Sequence, residues 1–311
     1  MDDKVKGALV GLACGDAVGT TLEFQVRGSF EPLTDMVGGG PFKLQAGQWT
    51  DDTSMALCLA HSLLSHKGFN PSDQMERYCH WFQWGYMSSN GRCFDIGLTV
   101  SNALLKYLDT QQPFSGSTDE RSSGNGAIMR LAPIPIFYHN HYDRCLHYAG
   151  ESARTTHGSP ECIDSAKLLA SLIFHAFTAK SKADIFEKST YQPSCENVQA
   201  IASADFMSLN YSQITGSGYV IESLKSALWC FMNGATFEES ILLAANIGND
   251  ADTTAAICGQ ISGAYYGLSG IPQHWRDKLV MAQDIEALAL NCMKCSARQA
   301  LPCSANPHPA L

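Results

Sequence analysis

The amino-acid sequence predicts an all-α fold, a single compact helical domain. Three observations carry this. Apolar residues recur at helical spacing through most of the chain, as at Met55, Ala56, Leu59, Ala60, Leu63 and Leu64. No run of alternating β-branched residues makes a strand. Glycine-opened helix starts recur at residues 47, 97, 126, 158, 218 and 248, which suggests several helix N-termini converging on one face.

From the N-terminus, residues 4–18 form a helix of small residues (Gly7, Ala8, Gly11, Ala13, Gly15), ended by Gly15-Asp16-Ala17-Val18-Gly19. Small residues permit close packing and close approach to a ligand. Glu23 follows, as a solvated loop acid or as a carboxylate aimed into a cleft. Residues 28–49, with Pro32, Gly38-Gly39-Gly40-Pro41 and Gly47, read as a long loop of the kind that is often functional. A helix then runs from Asp51 to about His66, and another from about Ser72 to Tyr86. The second carries Tyr78, Trp81, Phe82 and Trp84 as a core stripe rather than a base-stacking platform.

Phe94-Asp95-Ile96-Gly97 opens a helix through Leu108, with Asp95 as its cap or as a further acid of the cleft. Residues 111–126 are a polar connector ending in Gly124-Asn125-Gly126, whose backbone amides can hold phosphate or sugar oxygens. An apolar stretch, 127–133, follows. His157 sits in the turn before a buried helix that runs from Ile163 to Phe177. Residues 180–213 read as peripheral short helices. Three helices then run from Gly218 through Phe231, from Phe237 to Ala245, and from Asp250 through Tyr265. A final amphipathic segment spans Leu279–Leu290. Residues 296–311, with Pro302, Pro307 and Pro309, read as a disordered tail, so the domain is placed at 1–295.

The chemistry concentrates in Gly47-Gln48-Trp49-Thr50-Asp51-Asp52-Thr53. Thr and Asp at a helix start are ordinary caps, because their oxygens accept bonds from free backbone amides. Asn249-Asp250-Ala251-Asp252-Thr253-Thr254 repeats the pattern far down the chain. Two such starts make an oxygen cage suited to hard cations such as Mg²⁺ or Mn²⁺. Four clustered carboxylates repel one another, so together the segments favour metal binding over double capping.

Composition narrows the class. Apolar residues are 45% and charged residues 16% of 311, which indicates a well-buried protein. The formal net charge of −9 argues against general nucleic-acid or anionic-membrane binding, though not against one nucleotide in a pocket. No signal peptide or apolar run of membrane length is seen. The twelve cysteines are scattered, and many sit among apolar residues, as buried reduced thiols of a cytoplasmic protein would. Cys292-Met293-Lys294-Cys295 is a lone CxxC, a weak zinc or redox signal.

The ordered set of motifs resembles the ADP-ribosylglycohydrolase family: Gly15-Asp16-Ala17-Val18-Gly19 with Glu23, then 47–53, Gly124-Asn125-Gly126 with Met129, Arg130, Ala132 and Pro133, then Thr156-His157-Gly158, then 248–253. The resemblance covers about residues 4–290. It implies an all-helical domain with a binuclear Mg²⁺ or Mn²⁺ cleft that removes ADP-ribose from a modified protein side chain, arginine foremost. Hydrolysis of O-linked (serine) ADP-ribose or of another ADP-ribosyl conjugate, and a non-catalytic, ADP-ribose-binding or structural member, are the alternatives. By the same resemblance Thr50, Asp51, Asp52, Asp250, Asp252 and Thr253 match metal ligands. Glu23 matches an acid near the metals, Asp95 an acid near the scissile bond, and Gly124, Asn125, Gly126 and His157 positions that hold ADP-ribose. Asp51 and Asp252 thus count among the catalytic set with Glu23 and Asp95, and a monomer is expected. The family carries Glu where this chain has Gln48. Retention of every matched ligand position favours an enzyme.

Overall fold

The structure, a computed structural model, describes residues 1–299, and among these the chain forms fourteen α-helices joined by loops and short 3-10 turns. The first, α1 (Asp2–Gly19), runs straight through the Gly15–Gly19 stretch where the sequence predicts a terminating turn. Those glycines serve contact between helices rather than chain reversal. Next come α2 (Asp51–His66), α3 (Pro71–Trp84) and α4 (Leu98–Thr110), all near their expected bounds. On α3, Tyr78 and Trp81 are fully buried while Trp84 is 68% exposed, so the aromatic stripe is core only in part.

Three helices escape the sequence reading, the next two in the chain and a third at Gln273–Lys278. The five-residue α5 (Pro133–Phe137) contains two prolines, one tolerated at its first position. In α6 (Tyr142–Arg154) the buried residues are small, Cys145, Ala149, Gly150, Ser152 and Ala153, so no strong apolar stripe marks it. The buried helix α7 (Pro160–Ala176) follows, capped by Ser159. The polar region holds α8 (Lys182–Lys188) and α9 (Glu196–Ala202). Then come α10 (Val220–Asn233), α11 (Phe237–Ala245), α12 (Ala251–Tyr266), α13 (Gln273–Lys278) and α14 (Ala282–Gln299). The expected tail meets this last helix: α14 is described to Gln299, and residues 300–311 lie outside the described residues. β-pairing among the described residues is confined to isolated bridges such as Gly39–Leu44.

The axis of the fold is α1 lying antiparallel against α12. Gly7, Gly11, Gly15 and Gly19 recur every fourth residue and so share one face. They meet Gly263, Gly259, Ala255 and Ala251, the same spacing read backwards. A Cβ on Gly11 would land on the carbonyl oxygen of Gly259, and one on Gly15 on that of Ala255. The two backbones therefore touch, and at the α1 glycines not even a Cβ fits between them. This contact sets the C-terminal end of α1 beside the N-terminus of α12.

The long loop before α2 is fastened to α13. Asp35 accepts bonds from Trp275 Nε1 and Lys278 Nζ, each at 2.7 Å, and the fully buried Trp49 donates to the Val280 carbonyl at 3.3 Å. No helix among the described residues is long and apolar enough to cross a membrane. The CxxC lies on α14, where Cys292 is buried and donates to the Ala60 carbonyl.

Candidate active site

The start of α2 answers whether its acids are caps. Thr50 occupies the N-cap position in extended conformation, yet its side chain makes no capping bond. The cap comes from the last turn of α1. Asp16 Oδ1 accepts from Thr50 N at 2.8 Å and Thr50 Oγ1 at 2.9 Å, and Asp16 Oδ2 accepts from Thr53 N at 3.0 Å and Thr53 Oγ1 at 2.6 Å. One carboxylate thus serves both orphan amides and both hydroxyls, and Asp51 and Asp52 are released from capping.

The second acidic start is held differently. Gly248 and Asn249 both take positive φ, which turns the chain sharply into α12. Asp250 stands at the N-cap position without a capping bond; its Oδ2 accepts from Asn125 Nδ2 at 2.7 Å. The same Asn125 nitrogen lies 3.1 Å from Ser223 Oγ. The two starts then meet: Thr50 Oγ1 lies 3.4 Å from Asp252 Oδ2, and Thr253 Oγ1 lies 3.4 Å from Asp52 Oδ2.

Glu23 and Asp95 close the ring. Glu23 follows a 3-10 turn at Thr20–Leu22, and the next residue, Phe24, donates its N–H to the Asn249 carbonyl at 2.6 Å. Asp95 sits at φ 61°, a backbone region unfavourable for a residue with a Cβ. It does not cap α4, whose N-cap is Gly97. Carboxylate oxygens of Glu23, Asp95 and Asp252 lie within 4.8 Å of one another.

Burial and mutual repulsion disfavour so many negative charges. Asp16 is raised by burial to about 6, with its four hydrogen bonds opposing the shift. Burial raises Asp95 to about 7, and burial together with the charge of Asp95 raises Glu23 to about 10. Asp51, Asp52 and Asp252 are pushed well above the usual carboxylate range by burial and by each other, and Asp250 is raised by burial. Asp52 Oδ1 and Glu23 Oε2 are buried and have no hydrogen-bond partner. An all-oxygen donor set with orphaned acceptors and no Lys or Arg lining the cleft fits hard divalent cations.

Above the acids opens a cleft of about 340 Å³. Its walls include Glu23, Asp51, Asp95, Asp250, Asp252 and Thr253 together with Gly124, Asn125, Gly126 and His157. Thr50 and Asp52 lie beneath it, fully buried. The starts of α4, α10 and α12 and the Gly124–Gly126 turn all reach this face, as the repeated glycine starts suggest. His157 is 2% exposed and packs its ring on Gly124 and Gly126. Gln48 stays outside, its Oε1 accepting from Gln45 N at 2.8 Å within the preceding loop.

Sequence reasoning places Asp16 and Arg130 only within motifs, without a role, and does not mark Phe24 and Leu98 as a rim. Asp16 was legible only as part of a glycine turn. Arg130, 1% exposed, read as one residue of an apolar stretch. Phe24, 68% exposed at φ 61°, and Leu98, 77% exposed, form an apolar rim. The four-residue glycine period was the available signal for Asp16, since it shows which face of α1 meets another backbone.

Comparison with known proteins gives a consistent result. The profile of the family described as ADP-ribosylglycohydrolase matches residues 1–301. The ADP-ribosylarginine hydrolase Tri1 of Serratia proteamaculans (strain 568) is 45% identical over 287 residues, 92% of this chain and 78% of its own length. The ADP-ribosyl-[dinitrogen reductase] glycohydrolase of Rhodospirillum rubrum is 30% identical over 291 residues, 91% of this chain and 92% of its own. A solved structure described as an ADP-ribosylglycohydrolase-related protein complex superposes with a TM-score of 0.82 at 40% identity, covering 95% of this chain and 98% of that one.

Proposed function

The chain belongs to the ADP-ribosylglycohydrolase family, and from that premise we propose that it hydrolyses the N-glycosidic bond between ADP-ribose and an arginine side chain of a modified protein. The observation that carries this reading is the meeting of two acidic helix starts beneath one cleft, with Glu23 and Asp95 lining it beside Asp252. Thr50, Asp51, Asp52, Asp250, Asp252 and Thr253 would hold two divalent cations, Mg²⁺ or Mn²⁺. When bound, they supply positive charge that orients the ribose hydroxyls and makes water a better nucleophile.

The chain's own residues do the rest. Gly124 and Gly126 bring backbone close to the ligand, and His157 offers a ring nitrogen for the ADP-ribose oxygens. The neutral ring suits a diphosphate in a protein of net charge −9, whereas the Gly124 and Asn125 amides are already given to the Ser122 and Gly218 carbonyls. Breaking the bond from the ribose anomeric carbon to a guanidine nitrogen passes through an oxocarbenium-like state. Water adds its oxygen to that carbon and gives up a proton, and the leaving guanidine takes one. Glu23 and Asp95 stand close enough together to serve as the acid–base pair for these two transfers.

The test is release of free ADP-ribose from an ADP-ribosyl-arginine protein and from an ADP-ribosyl-serine peptide, each with Mg²⁺ and with EDTA. Metal-dependent release from the arginine substrate supports the reading. Release from serine alone overturns the linkage and keeps the site. Binding of ADP-ribose without release from either substrate overturns the hydrolase.

A further inference from the structure

We propose that Arg130 and Thr156 form a relay that fixes His157 in its Nε2–H tautomer and so points a single N–H donor into the cleft, toward an acceptor oxygen of ADP-ribose. The proposal rests on the cleft being the ADP-ribose site.

The relay follows from donor and acceptor identities. Arg130, in the turn before α5, is buried against α3, its guanidinium carbon 4.6 Å from the centre of the Tyr78 ring, and its NH1 faces Met55 Sδ at 3.7 Å. Its NH2 lies 2.6 Å from Thr156 Oγ1. A guanidinium only donates, so the threonine oxygen accepts. Thr156 is fully buried, and its hydroxyl has one other partner, His157 Nδ1, at 2.8 Å. The hydroxyl proton therefore goes to Nδ1. Were Nδ1 the donor instead, the threonine proton would be left buried with no acceptor. An accepting Nδ1 puts the ring proton on Nε2.

Packing fixes where that proton points. A Cβ on Gly126 would come within 2.7 Å of His157 Cε1, and one on Gly124 within 3.2 Å of Nε2, so both glycines are moulded to the ring. The ring lines the cleft beside the same two residues. Burial, reinforced by the nearby Arg130 charge, lowers His157 to about 3, which keeps the ring neutral at physiological pH. Arg130 is thus a positioning residue that reaches the ligand only through Thr156 and His157.

The experiment compares wild type, Thr156→Val and Thr156→Ser. The ring nitrogens of His157 are followed by ¹⁵N NMR, and ADP-ribose affinity by calorimetry. Wild type and Thr156→Ser show the Nε2–H pattern and equal affinity. Thr156→Val shows mixed tautomers and binds ADP-ribose about tenfold more weakly, the loss of one aimed hydrogen bond. An unchanged tautomer in Thr156→Val, or affinity within about twofold of wild type, overturns the relay. An Nδ1–H pattern in wild type overturns it without any variant, should Thr156→Val fail to fold. Absence of ADP-ribose binding by wild type overturns the cleft reading instead, and the tautomer pattern still judges the relay.

Discussion

Asp16 accepts both the backbone N–H and the hydroxyl of Thr50, at 2.8 and 2.9 Å, from the last turn of α1. By taking the hydroxyl proton it leaves the Thr50 oxygen's lone pairs turned toward Asp52 and Asp252. Asp16→Asn keeps the size but replaces one acceptor with a donor, so it cannot serve both threonines. Mn²⁺ affinity should fall roughly 10–100-fold, as when other partners of metal ligands are lost. The helix cap should weaken by about 1–2 kcal/mol. Calorimetric titration with Mn²⁺ checks this, and affinity within about twofold of wild type would remove Asp16 from the site.

The backbone contact between α1 and α12 predicts a severe cost for a single methyl group. In Gly11→Ala the new Cβ would meet the Gly259 carbonyl oxygen, and neither helix can yield without moving the acids it carries. Overpacking of this kind costs about 2–3 kcal/mol, or roughly 5 °C in melting temperature. Gly68→Ala is the control, because its Cβ would meet nothing nearer than the Tyr138 hydroxyl at 3.7 Å. Equal melting temperatures for the two variants would refute the contact.

How much of this was written locally explains what the sequence revealed. The two acidic starts were legible because each places its carboxylates next to an apolar periodic run in one short stretch. Asp95 was legible as a cleft acid or a cap, and its place beside Glu23 decides between them. Asp16 was not legible, because capping normally runs from a residue just before the helix. Here the cap comes from 34 residues away. Asn125 was legible as a site residue, but its Nδ2 bond to Asp250, which spans 125 residues, was not. Helix α6 was missed because its buried residues are mostly small and lie among His, Arg and Glu.

Asp35 predicts an acid-side signature for the loop before α2. Burial works against its charge, but bonds from Lys278, Trp275 and the Met36 amide outweigh this and lower it from 3.8 to about 2. A depressed carboxylate stabilises the fold above its unfolded value, and that stability is lost as pH falls through the folded value. Asp35→Ala should therefore melt about 2 °C lower than wild type at pH 7, reflecting about 1 kcal/mol of hydrogen bonding. The gap should close between about pH 4 and pH 2. A gap that stays constant down to pH 2 would show that the loop is held by packing alone.

The raised carboxylates predict that cations and protons substitute for one another. In cation-free protein, burial lifts Asp16 to about 6 and Asp95 to about 7, and burial with the Asp95 charge lifts Glu23 to about 10. The folded state then binds more protons than the unfolded chain, so stability falls as pH rises from about 4, through the folded values of Asp16 and Asp95, and on to that of Glu23 near 10. Bound cations remove that repulsion without protons. Saturating Mn²⁺ should accordingly raise the melting temperature by about 5 °C or more at pH 8 and by much less at pH 5, where protons already neutralise part of the cluster and compete with the cations. Scanning calorimetry with Mn²⁺ and with EDTA at the two pH values reads this directly. A gain at pH 5 equal to that at pH 8 would mean that the cations bind elsewhere than at these acids.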